Sequence, residues 1–173
     1  MKYLQKIKEM HAYEKAEGQT LRTYYEILEK EFKQSCAAFE KSKDKLSEGV
    51  LRFFHFYHDT DIMSINVIYK ESGVDIAVAM RHRAYCHDQN GKNTLQTRFE
   101  GKLMHRDVAE YRADIIAARF NMRSSYHITY NYGELFLDED DLWVHNMLVH
   151  PVPNEINIKC KKIEWIDEPW FDG

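Results

Sequence analysis

His58 and Asp59 stand side by side in the stretch His58-Asp59-Thr60-Asp61-Ile62-Met63-Ser64-Ile65. An adjacent histidine and aspartate can hold a metal ion that activates water, the chemistry of a metal-dependent phosphohydrolase. That chemistry also needs an upstream ligand histidine and a downstream aspartate, all carried on helices. His55 is placed for the first role, and Asp114 is a weak candidate for the second. The ordinary reading outweighs it: Asp59 caps a turn by accepting backbone N–H bonds, and His58 hydrogen-bonds locally. His145 and His150, five apart on a strand, point to opposite faces. His82 and His105 could meet across neighbouring strands with Asp59 as a carboxylate, a metal site only if all three converge within about 2.0–2.2 Å of one ion. Cys86-His87-Asp88 sets a thiol beside a base, but adjacent residues of an extended chain diverge, and no oxyanion feature accompanies them. There is no glycine-rich phosphate loop, GxSxG, HExxH or zinc-ribbon spacing. The expectation is therefore no cofactor, no metal and no named catalytic residue.

The elements that must position these groups change character near residue 60. Over residues 1–17, Tyr3, Ile7 and Met10 recur at helical spacing until Gly18 ends the pattern. Thr20 can cap a second helix whose Leu21, Tyr25, Leu28, Phe32, Cys36 and Phe39 share one face. A polar turn at 42–49 leads to Val50–Tyr57, too aromatic for water, read as a short helix or an extended lead-in docking the helices onto a sheet. From Asp61 the period becomes two. Met63, Ile65, Val67 and Tyr69 share a face, Glu71-Ser72-Gly73 reads as a hairpin turn, and Val74 to Arg81 alternates again. After the Asn90-Gly91 turn, Leu95, Thr97, Phe99, Gly101 and Leu103 line a third strand.

Asp107 and Glu110 resemble a capping box, and Val108, Tyr111, Ile115, Ala118 and Met122 follow at helical spacing, predicting a helix over 107–122. Its rival is a strand through Ile115-Ile116. Tyr126 to Tyr132 and Leu142 to His150 read as strands, Asp138–Asp141 as an acidic turn, and Ile156–Cys160 as the last clear strand before an aromatic tail with Trp165, Trp170 and Phe171. The fold class is α+β: an N-terminal helical hairpin over 1–57 packed on an antiparallel sheet over 58–173. The sheet is a sandwich or partial barrel with one inserted helix, and the two parts form one compact unit.

Composition bounds the function. In 173 residues, 44% hydrophobic and 13% aromatic, there is enough apolar material for a core. A net charge of −4 argues against a dedicated nucleic-acid binder. Cys36, Cys86 and Cys160 are few, odd in number and far apart, which suits a reducing compartment. No secretory leader or membrane-length apolar run is present, so a cytoplasmic location is expected.

The stretch 58–65 also resembles an HD-[ST]-x-I-x-x-I strand start found in small bacterial proteins, mostly from Gram-positive genomes. In them a helical segment leads into a β-rich domain. Further matches are Leu142–Leu148 and Glu155–Glu164, at both ends of the β part. These proteins have no assigned reaction, and some related ones resemble immunity proteins that neutralise a partner toxin. The resemblance implies a fold plan more than a chemistry.

A run of arginines and lysines from Arg81 to Arg123 faces an acidic final third, a separation that suits steering of a partner or self-association. Tyr85, Phe99 and Tyr111 in the basic run could stack bases, though ordinary solvated sheet and helix faces are the better account of the charges. The function expected is a non-enzymatic protein-binding module, immunity-like, with a toxin or a second copy as partner. His58, Asp59, Arg81, His82 and Arg83 would be its polar anchors at the helix–sheet junction and Tyr85 its aromatic contact.

Overall fold

The computed structural model describes residues 21–56, 60–87, 93–114, 128–150 and 154–168. Helix α1 spans Leu21–Ser42. It ends where the Ser42 hydroxyl turns back to donate to the Ala38 or Phe39 carbonyl, 3.2 Å from each, competing with the helical ladder. A single 3-10 turn, Lys43–Lys45, follows. Ser47 then caps α2, Glu48–Phe56, its hydroxyl accepting from the Val50 N–H at 3.4 Å. The aromatic lead-in is thus a helix, and Val50 and Phe53 sink into the core with Phe54 packed against them.

Among the described residues six antiparallel strands follow: β1 Thr60–Lys70, β2 Gly73–His87, β3 Asn93–Asp114, β4 Ile128–Leu137, β5 Trp143–His150 and β6 Asn154–Asp167. Their order is β1-β2-β3-β6-β5-β4, closed into a barrel by pairing of β1 with β4. Among the described residues that seam is three pairs long, Thr60 to Ile62 against Tyr130 to Ile128. The α+β architecture with helices ahead of an antiparallel sheet stands; where a sandwich or partial barrel was expected, the sheet closes into a barrel. The inner face carries Ile62, Ile76, Val78, Met80, Leu103, Leu135, Trp143, Met147, Ile156 and Ile158. Phe53 stacks on Trp165 at 5.4 Å and meets Tyr130 edge-on at 5.8 Å, which ties α2 to β6 and β4.

The inserted helix over 107–122 is corrected for its first half: residues 107–114 belong to β3, while 115–122 lie outside the described residues. A bulge misled the spacing. Val108 pairs with Cys160 and Tyr111 with Ile158, two core positions two apart on β6, so one extra residue between Val108 and Glu110 makes a strand face look helical. Asp107 is no helix cap. It takes a positive φ of 51° and its N–H donates to the Asp75 carboxylate at 3.0 Å. A second bulge corrects β1: between Ile62 and Ser64 the register shifts, so Ile62 joins Ile65 opposite the core residues Met80 and Val78, and Met63 faces solvent.

Gly101 allows a close approach of β3 to β6. A Cβ there would lie 2.5 Å from both the Ile166 carbonyl and the Trp165 ring, so only glycine fits between β3 and the tryptophan on β6.

Candidate functional site

Of the residues expected to anchor a partner, His58 and Asp59 lie outside the described residues, immediately before β1. The register sets Asp61 beside Arg81 and Thr60 beside His82, so two further anchors adjoin the start of β1. Arg81 is committed locally. Its Nε and Nη2 donate to the two oxygens of Glu100 at 3.0 and 2.9 Å, which, with the nearby Asp61, stabilises the guanidinium charge. Arg83 and Tyr85 follow on β2, opposite Thr97 and Leu95, their side chains outside the described residues. His105 is not beside His82, whose neighbour on β3 is Phe99.

His105 takes part instead in a buried polar chain that the sequence reading missed. Its Nε2 lies 2.9 Å from His145 Nδ1, and His145 Nε2 lies 3.1 Å from the Tyr130 hydroxyl. The imidazoles stack at 5.2 Å, and Phe54 of α2 closes edge-on over His145. All three polar residues are fully buried. Two neutral proton arrangements fill the chain: Tyr130 O–H donates to His145 Nε2 and His145 Nδ1–H to His105 Nε2, or both bonds run the other way, with His105 Nε2–H donating to His145 Nδ1 and His145 Nε2–H to the Tyr130 oxygen. Burial pushes His105 down to about 4, against the pull of the Ile76 and Leu103 carbonyls. It pushes His145 well below its ordinary range, and the charge His105 would carry adds to that. Burial holds both rings neutral at pH 7. The chain orients Tyr130 and specifies the packing of α2 on the sheet. Its sequence signal was alternation: His105 continues the face of Leu103, and His145 sits between Trp143 and Met147.

Outside the barrel, the end of the β1–β2 hairpin is held by a charge cluster. The buried Asp75 carboxylate accepts from Lys70 at 2.7 Å, Arg106 at 2.8 Å and the Asp107 N–H. Burial alone would raise its pKa, but these donors outweigh it and hold the group at about 2. Arg106 also reaches Glu164 at 2.8 Å, linking β2, β3 and β6.

Beside this rigid corner β1 presents Met63, Val67, Ile68 and Tyr69 to solvent, Tyr69 at 82% exposure. Val67 and Tyr69 share the side of Ile76 and Val74, whereas Ile68 shares that of Asp75, so apolar groups stand out on both faces. Among the described residues, β1 beyond Ile62 pairs only with β2.

Among the described residues no group of three or more His, Cys, Asp and Glu side chains is placed to hold a metal ion. No described helix is long and apolar enough to cross a membrane. A scan against protein-family models finds none that matches the chain, and no curated protein sequence matches it.

Proposed function

We propose that this chain is a cytoplasmic, non-enzymatic module that binds a protein partner, in the manner of an immunity protein holding its toxin. The observation that carries this is the exposed apolar length of β1: Met63, Val67, Ile68 and Tyr69 stand in water beside a corner fixed by Lys70, Asp75 and Arg106. A flat docking patch would gather apolar side chains on one face. Exposure on both faces of one strand suits an extended segment of the partner that lies along β1, pairs with its backbone and places alternate side chains over each face. Tyr69 is then the anchor, since a large amphipathic ring on a rigid strand contributes most per residue at an interface.

The test is a photo-reactive phenylalanine analogue placed at Tyr69 and, as a control, at the exposed Asp140, followed by irradiation in the native cell. We expect one dominant adduct to a different protein from position 69, absent from position 140 and lost with Ile68→Lys. Identical adducts from both positions, no adduct, or an adduct to a second copy of the chain would each overturn the reading.

A further inference from the structure

Across β4, β5, β6 and β3, register aligns four polar side chains in a row: Glu134, Asn146, Asn157 and Arg112. Asn146 is fully buried, yet neither its Oδ1 nor its Nδ2 has a hydrogen-bond partner, and Asn157 Oδ1 has none either. Buried amides left in that state are rare and costly, and they call for an explanation. Both asparagines line a cleft of about 850 Å³, within the size range of small-molecule sites.

The walls restrict what could enter. Glu110, Asp114, Asp138 and Glu155 stand against Arg112 and Lys159, four carboxylates to two cations, so the cleft is net negative. Both cations are engaged, Lys159 with Asp138 at 2.6 Å and Arg112 with Asp114 at 2.5 Å. An anionic ligand is therefore disfavoured. Two carboxamide oxygens need N–H donors and one amide nitrogen needs an acceptor. Tyr111, half-exposed on the wall, offers a ring face to a planar group.

We infer that this cleft binds a neutral, planar, nucleoside-sized molecule through an amino group adjacent to a carbonyl or ring nitrogen, read by Asn146 and Asn157. That edge occurs in an aminated nucleobase and in a primary carboxamide, and it is complementary to an asparagine amide in the way adenine is. The site is independent of β1 and goes beyond partner binding.

Calorimetric titration of the full chain with cytidine, nicotinamide and cytidine 5′-monophosphate tests it. We expect saturable binding of cytidine or nicotinamide, whichever wins naming the source, and weaker binding of the monophosphate. Asn146→Leu should weaken that binding about tenfold or more, as loss of one two-point amide contact does. Asn157→Ala should weaken it too, and serves if the first variant does not fold. Failure of both neutral probes to bind at about 10 mM, undiminished binding by the variants, or preference for the monophosphate would overturn the inference.

Discussion

Acid should loosen this barrel from the inside, through His105 and His145, before it discharges the best-held carboxylate. In the unfolded chain a histidine takes up its proton near pH 6.5, whereas folded His105 does so only near 4. The neutral ring's contribution is therefore complete above pH 6.5 and is lost as the pH falls towards 4. At about 1.4 kcal/mol per pH unit, that interval amounts to about 3 kcal/mol for His105 alone. His145, lowered further and for the same reason, steepens the loss. Against a folding free energy typically of about 5–15 kcal/mol, the effect is large. Urea unfolding followed by tryptophan fluorescence, from about pH 7.5 to about 4.5, reads it directly, and the difference from His105→Leu/His145→Phe isolates this pair from the other histidines. The double variant should show a flatter profile whatever its absolute stability. A wild-type midpoint that stays fixed across the range, or one that falls just as steeply in the double variant, refutes the reasoning. If the variant does not fold, histidine ring NMR serves instead: His105 must not titrate above about pH 5.

Two further perturbations probe the framework. Gly133→Ala would drive a methyl group into the Tyr130 ring and hydroxyl. It should displace the ring, break the contact to His145 and cost about 2–3 kcal/mol in urea unfolding, a loss that Tyr130→Phe in the same background would partly relieve. Asp75→Asn removes the negative charge and one of the two acceptor oxygens shared by Lys70, Arg106 and the Asp107 N–H. It should cost about 2 kcal/mol near neutral pH. Because the folded carboxyl sits near 2 rather than 3.8, the wild type's advantage should be present above pH 3.8 and vanish as the pH falls towards 2.

What could be read from the chain was whatever local periodicity expresses. Helix α1, the β1–β2 hairpin at Glu71-Ser72-Gly73 and the acidic turn before β5 follow from spacing and turn chemistry alone. The failures cluster at bulges. At Met63 and again near Asp107 one extra residue shifts which side chains face inward, and nothing in composition marks it, since the shift is fixed by the partner strand. The buried histidine pair escaped for a related reason. β3 and β5 are not neighbours, because β6 lies between them, so only closure of the sheet brings His105 to His145. Arg81 was legible as a charged group on β2, but its attachment to Glu100 depends on the β2–β3 register.

The stacking of Phe53 on Trp165 has a consequence for biogenesis. The ribosome releases α2 about a hundred residues before the tryptophan that covers it, so its aromatic face must wait for nearly the whole chain. Such a long sequence separation predicts a slow search and an early interval in which the nascent helix attracts chaperones. A truncation lacking β6 should accumulate as a chaperone-bound species, even though α1 and α2 are intact.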